Sequence, residues 1–255
     1  MRLQPGAAPR VADLDLILPD WPAPAGVRAA VTTRSGGVSG GPFASLNLGD
    51  HVGDDPRAVA SNRARLRAAL RLPAEPLWLE QVHGAEVARF GVSAIPLRAD
   101  AAVTDRAGEV CAVMVADCLP VLFASRSGGT VGIAHAGWRG LAAGVLERTI
   151  DAMAIPPGDV MAWLGPAIGP EAFEVGDEVR AAFCGQAPAA GRHFVANARG
   201  RWWADLAGLA RDRLAGAGVT AVYGGGPCTF ADPGRFFSYR RDGLTGRFAA
   251  LIWLE

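Results

Sequence analysis

The order of apolar patterns along the chain predicts an α/β or α+β fold built on a mixed sheet. Three observations lead there. Short runs rich in Val, Ile and Thr mix with segments of helical periodicity, without the regular strand–helix–strand alternation of a parallel sheet. No segment repeats another, and no low-complexity stretch divides the chain convincingly. With 255 residues, half of them hydrophobic, the chain can bury a substantial core.

Residues 1–27 carry Pro5, Pro9, Pro19, Pro22 and Pro24 and read as an extended arm over the surface, with residues 28–255 as one domain. Arg28 to Arg34 is a strand by its Val and Thr content, and it runs into the Gly/Ser loop Ser35 to Pro42. Asp55 followed by Pro56 marks a helix start, an acidic N-cap ahead of proline at the first helical position. That helix continues to about Leu70, with Val59, Leu66 and Leu70 facing inward. Leu77 to Val82 and Ala85 to Phe90 read as short strands around His83-Gly84, followed by strands at Ala101 to Thr104, Val110 to Val115, Val121 to Ala124 and Thr130 to Ala134. From Trp138, the residues Leu141, Val145, Leu146, Thr149 and Met153 recur at helical steps until Pro156-Pro157-Gly158. Val160 to Leu164 is a further strand. A short helix carries Val175, Val179 and Phe183, and another runs from Leu206 to Ala217 before Gly218. Val219 to Tyr223 and Phe248 to Leu254 complete the strands.

Composition narrows the function. Basic and acidic residues balance at 25 each, which argues against a nucleic-acid protein with its basic excess. Every basic residue is Arg. Without Lys, a Schiff base, a pyridoxal anchor and a P-loop lysine are all excluded, so an anion must be held by Arg, backbone amides or metal. Cys111, Cys118, Cys184 and Cys228 are irregularly spaced, unlike a disulfide framework, and fit a reducing compartment. No charged start precedes an apolar stretch at the N-terminus, and apolar runs stop well short of the ~20 residues that span a bilayer. The expectation is a soluble cytoplasmic protein.

The chemistry concentrates between Gln81 and Gly140. Gln81-Val82-His83-Gly84, Ala116-Asp117-Cys118-Leu119-Pro120 and His135-Ala136-Gly137-Trp138-Arg139-Gly140 lie at the ends of apolar runs. One Cys and two His suit an open zinc site with a fourth position left for water or substrate, and copper accepts the same set. Their spacing, 35 positions from His83 to Cys118 and 17 on to His135, matches no compact zinc finger. The same residues also allow a metal-free reading, with Cys118 as nucleophile, His135 as base and Asp117 or Gln81 as the orienting group. Spacing does not separate the two.

Other patterns carry less. Gly37 to Gly41 fits G-x-S-x-G, but Pro42 and a loop follow it instead of the required helix. Gly216-Ala217-Gly218 follows a helix and enters a strand, the wrong order for a dinucleotide loop. His51, among Asp50, Asp54 and Asp55, reads as part of a solvated loop. His193 has no partner nearby in sequence. Trp202-Trp203 reads as packing. Arg34, Arg139, Arg240 and Arg241 sit beside glycine loops, where guanidinium forks suit oxyanions.

Taken in order, Thr33 to Ser39, Ser45-Leu46-Asn47-Leu48-Gly49, the three central blocks, Gly165-Pro166-Ala167-Ile168-Gly169, Cys228-Thr229 and Phe237 to Gly243 resemble the YfiH-like family. Its members have been labelled laccase-domain or polyphenol oxidase proteins and are regarded as purine nucleoside phosphorylases. The resemblance spans roughly residues 28 to 252. It implies a layered α/β/β/α domain and a metal, Zn2+ or Cu2+, held by His83, Cys118 and His135. It also implies phosphorolysis of adenosine, inosine, guanosine and methylthioadenosine, with an adenosine deaminase activity. Asp117 is then expected to orient a ligand or protonate the leaving base. Arg34, Asn47, Gln81, Arg139 and Arg241 are the expected substrate contacts, with Arg34 or Arg241 holding phosphate. With only four histidines in the chain, true multicopper laccase chemistry lacks its histidine pairs.

Overall fold

Runs of β-branched and small apolar residues become strands, and the acid–proline signal becomes a helix start. The computed structural model of the protein describes residues 14–90 and 97–255. In chain order it opens with β1 (Leu16–Ile17), β2 (Val27–Thr32), α1 (Pro56–Leu70) and β3 (Val87–Arg89). There follow β4 (Ala101–Thr104), β5 (Val110–Val115), β6 (Leu119–Ser125), β7 (Val131–Ala136), α2 (Trp138–Ala142) and α3 (Val145–Met153). The C-terminal part holds β8 (Val160–Leu164), β9 (Glu174–Val175), α4 (Asp177–Cys184), β10 (Phe194–Ala196), β11 (Trp202–Ala204) and α5 (Leu206–Gly216). It ends with β12 (Ala221–Gly224), α6 (Tyr239–Asp242) and β13 (Phe248–Leu254).

Two larger sheets form the middle of the molecule. One has the order β1-β2-β13-β5 and the other β12-β8-β6-β7-β4-β3, while β10-β11-β9 makes a small third sheet. The six-stranded sheet is mixed: β12 with β8 and β3 with β4 run parallel, and its other pairs are antiparallel. Period-two alternation then assigns the layers. Phe248, Ala250 and Ile252 of β13 share a core with Val113 of β5 and with Leu122 and Ile133 of the facing sheet. Ala249, Leu251 and Trp253, on the opposite side of β13, pack toward Leu66 of α1. On the far side of the six-stranded sheet, Val121 and Phe123 meet Leu146 and Ile150 of α3 and Leu209 of α5. The layer order is therefore α/β/β/α, as expected. Strands β5, β6 and β13 are buried on both faces, which is why they read as unbroken apolar runs. Removing a fully buried ring such as Phe123 costs about 3–5 kcal/mol.

Several elements differ from the sequence expectation, each for a local reason. The helix expected to start near Trp138 and continue to Met153 is two helices, because Gly144 takes φ 89 between α2 and α3. Leu77 to Val82 is not a regular strand. It runs beside the outer edge of β5, meeting it through the Leu77–Cys111 bridge and through the Gln81 side chain, whose amide donates to Met114 O and accepts from Met114 N, both at 2.8 Å. Part of the proline-rich arm pairs with β2, Leu16 opposite Thr32, and so extends the sheet; residues 1–13 lie outside the described part. Val175 belongs to β9, ahead of the helix at Asp177. The small third sheet was not anticipated, since its strands are only two or three residues long. Among the described residues, no helix is long and apolar enough to cross a membrane.

Candidate metal centre

The register of the six-stranded sheet brings the reactive side chains together. β4 and β7 pair with Ala101 opposite Ala134, so one step further Asp100 stands opposite His135, and the His135 N–H donates to the Asp100 carbonyl at 2.7 Å. β6 and β7 pair with Leu119 opposite Ala136, which brings Cys118 beside Gly137. His135 shares the parity of Val131 and Ile133, so it points between the two sheets. The third member arrives on a loop. His83 has φ 59, a left-handed conformation that the surroundings must hold in place.

Asp100 is what holds it. Its fully buried carboxylate accepts from the amides of Val82 at 3.2 Å, His83 at 2.9 Å and Gly84 at 2.6 Å. The same carboxylate meets His135 Nδ1 at 2.8 Å. One side chain thus anchors the loop of one histidine and orients the ring of the other, leaving His135 Nε2 as the ring nitrogen available to the cluster. The candidate ligand atoms of His83, Cys118 and His135 lie within 4.8 Å of one another, and the two imidazoles meet edge to face with centroids 4.8 Å apart. Gly137 makes room for them. A Cβ there would sit 2.9 Å from Cys118 Sγ and 3.2 Å from His83 Cδ2. At Gly140 a Cβ would come within 2.6 Å of the Gly84 carbonyl oxygen, so two glycines of this block serve close approach.

Electrostatics follow from the packing. Burial raises the Cys118 thiol, but His135 and His83 outweigh it and bring the thiol down to about 6. Burial lowers the His135 imidazole, yet Cys118 and Asp100 together raise it to about 9. At neutral pH the metal-free pair is therefore thiolate and imidazolium. Burial in an apolar strand pushes the Cys111 thiol upward instead, leaving that thiol unreactive. A carboxylate behind a ligating histidine, a thiolate and a second imidazole form a donor set that suits zinc with an open position, and copper also accepts it. The residues present fit such an ion.

The cluster opens into a cleft of about 570 Å3 lined by Gln81, Asp117, Arg139 and the three cluster residues. His51, Trp138, Phe173, Tyr239, Arg240 and Arg247 complete its polar and aromatic wall. A larger hollow of about 750 Å3 runs along α1 from Asp50 to Glu75, but among the described residues His83, Cys118 and His135 form the only three-member ligand group. The chemistry therefore belongs to the smaller cleft.

The expected site residues divide. Gln81 and Arg139 line the cleft, although the Gln81 amide is committed to β5 and the Arg139 guanidinium lies 4.4 Å over Trp138. Asp117, at φ 87, accepts from Thr229 Oγ1 at 2.6 Å and from the Arg240 amide at 2.7 Å. It ties the start of β6 to the segment carrying α6. Arg34, Asn47 and Arg241 do not line the cleft. Arg34 donates to the carbonyls of Ala44 and Pro233, and Arg241 to those of Thr229, Phe230 and Phe236. Asn47 accepts from the Gly49 and Arg247 amides. The structure makes these three residues the stitching of the loops behind the site. For the metal-free reading, the orienting group behind His135 is Asp100, in place of Asp117 or Gln81. The sequence pattern did not single out Asp100 or Arg247, and His51, expected in a solvated loop, lines the cleft. The only signal for Asp100 was an acid immediately before an apolar strand, and Arg247 looked like the lead-in to β13.

Comparisons with known proteins bear on the family and the fold. A family model described as "Multi-copper polyphenol oxidoreductase laccase" matches residues 28–255. "Purine nucleoside phosphorylase PA4543" of Pseudomonas aeruginosa is 59% identical over 240 residues, covering 94% of this chain and 98% of that protein. "Purine nucleoside phosphorylase YfiH" of Escherichia coli is 54% identical over 240 residues, with the same coverages of 94% and 98%. Among solved structures, Neisseria meningitidis NMB0706 superposes with a TM-score of 0.90 at 51% identity, covering 94% of this chain and 99% of that one. YlmD from Geobacillus stearothermophilus gives a TM-score of 0.84 at 38% identity, covering 91% and 93%. With its layered fold, its ordered motifs and these relatives, the chain belongs to the YfiH-like, laccase-domain family.

Proposed function

We propose that the protein is a metal-dependent purine nucleoside phosphorylase. It cleaves adenosine, inosine and guanosine with phosphate to free base and ribose 1-phosphate, and methylthioadenosine to adenine and methylthioribose 1-phosphate, and it deaminates adenosine as a second activity. The observation that carries this reading is the meeting, in one cleft, of an open three-ligand cluster with the guanidinium groups of Arg139, Arg240 and Arg247. The activity for which the relatives are named supports it. His83, Cys118 and His135 hold the metal, Zn2+ or Cu2+. When bound, such an ion acts as a Lewis acid and makes water acidic near neutral pH, the chemistry that deamination requires.

The chain's own residues do the positioning. Phosphorolysis asks for phosphate beside the ribose C1′ while the base departs, which is a matter of placement and charge. Arg247 is the phosphate holder. Burial lowers its pKa, while the Cys118 thiolate and Asp117 help keep it charged, and its Nη1 is fixed on the Thr245 and Gly246 carbonyls at 3.0 Å. This moves the role away from Arg34 and Arg241. Asp117 keeps α6 against the cleft, an orienting role rather than proton donation, since both its oxygens accept hydrogen bonds from the protein.

The test is incubation with inosine, with and without phosphate, while hypoxanthine and ribose 1-phosphate are followed. Failure of phosphate-dependent release at high enzyme concentration would sink the proposal. Ammonia release from adenosine tests the second activity separately. A second reading, a cysteine hydrolase or amidase, draws on the Cys118–His135–Asp100 line. It predicts activity without phosphate that survives chelation and disappears on Cys118 alkylation.

A further inference from the structure

An exposed aromatic ring stands at the cleft that holds the metal cluster. Tyr239 keeps 62% of its surface exposed and lines the same cleft as the metal cluster. An apolar ring left in water is common on a mobile loop, but this one stands on an anchored helix. Ser238 Oγ caps α6 by accepting from the Arg241 amide. The Arg240 amide donates to Asp117 at 2.7 Å, and the Arg240 side chain donates to the Glu174 carbonyl at 2.7 Å. The backbone under Tyr239 is thus tied to the start of β6 beside Cys118, while its ring carries the Arg247 guanidinium on one face and leaves the rest open to the cleft.

Two of the polar groups nearby are already spent. The Gln81 amide is closed on Met114 and the Asp117 carboxylate on Thr229 and Arg240. Neither can read the edge of a base without breaking a hydrogen bond in the fold. A planar heterocycle entering the cleft can still be held by its face, which an aromatic ring provides whatever the exocyclic groups. The guanidinium of Arg247 lies 5.9 Å from the centre of the Tyr239 ring, close enough for base and phosphate subsites to adjoin.

We infer that Tyr239 is the stacking surface for the purine ring of the nucleoside. The inference rests on the proposed phosphorylase activity and adds to it the residue that binds the base. Because the ring is exposed, its truncation leaves the fold intact, which thermal melting of each variant checks.

Calorimetric titration of the metal-loaded protein with hypoxanthine, beside steady-state KM values for inosine and phosphate, tests it. Tyr239→Ala and Tyr239→Leu should each weaken hypoxanthine binding and raise KM for inosine by about tenfold or more, as lost base stacking does, while KM for phosphate changes far less, through the lost contact with Arg247 alone. Tyr239→Phe should restore base affinity, since it keeps the face and loses only the hydroxyl. Wild-type hypoxanthine affinity in Tyr239→Ala would overturn the inference while leaving the phosphorylase reading standing, as would full rescue by Leu or a rise in KM for phosphate alone. A wild-type protein that neither binds hypoxanthine nor cleaves inosine removes both.

Discussion

Two histidine rings among the described residues hydrogen-bond to aspartates, and only one of them is placed to do chemistry. His135 meets Asp100 through Nδ1 at 2.8 Å, with side-chain exposures of 4% and 0%. His193 meets Asp212 through Nε2 at 2.8 Å and faces Asp205 through Nδ1 at 3.9 Å. The difference is what remains. His193 has a carboxylate at each ring nitrogen and so links α5 to the segment before it. His135 has a carboxylate at one nitrogen, a thiol beside the ring and a second imidazole at its edge. A histidine–carboxylate pair is thus common to structural and reactive sites. The unspent nitrogen and its soft neighbour make the difference.

The largest test of that contrast removes the thiol. Cys118→Ala should abolish stoichiometric metal and lower kcat/KM for inosine on the order of 10³-fold, the scale of losing a principal electrostatic group. Metal analysis and initial rates read both effects, and retained metal would place the ion elsewhere. Next comes the carboxylate. Asp100→Asn should weaken metal affinity about 10- to 100-fold, as removal of a partner behind a ligand does, whereas Asp212→Asn should leave metal content unchanged. Competition with a chelating dye measures the pair, and equal losses in the two variants would erase the distinction drawn above.

A pH series sharpens the comparison further. The folded-state pKa of Cys118 is lowered, so its thiolate persists until the pH falls through about 6. Alkylation of the chelator-treated protein at Cys118 should therefore reach half its plateau rate near pH 6, against about 8.5 for an ordinary thiol. A midpoint near the ordinary value would mean that the histidines do not charge-couple to it. The smallest effect belongs to His193→Ala, which should lower stability by about 1 kcal/mol, the net worth of a lost hydrogen bond. Metal content and KM should not move. A denaturant midpoint with a metal assay checks this.

Local signals read well wherever one segment decides its own structure. The Asp55–Pro56 start of α1 and the unbroken apolar runs of β4, β5, β8 and β13 were legible to the residue, because a capping carboxylate and a doubly buried strand need no knowledge of distant neighbours. The split between α2 and α3 was less so. Gly144 in the left-handed region interrupts a periodicity that by itself continues through it. The short strands of the third sheet carry too few residues for alternation to register.

By itself the sequence determined the residue types of the candidate cluster, the place of Cys118 and His135 at strand ends and the family, since ordered blocks of Gly, His, Cys and Arg are properties of the chain. The tertiary structure alone decided which groups meet. Sheet order sets β4 rather than β5 beside β7, and that pairing brings Asp100 against His135 at a separation no local pattern encodes. It also brought Arg247 into the cleft and turned Arg34, Asn47 and Arg241 inward onto backbone groups. The physical reason is that buried backbone carbonyls and amides must find partners. Which polar side chains they claim, and which remain free for a ligand, is known only when the layers are packed.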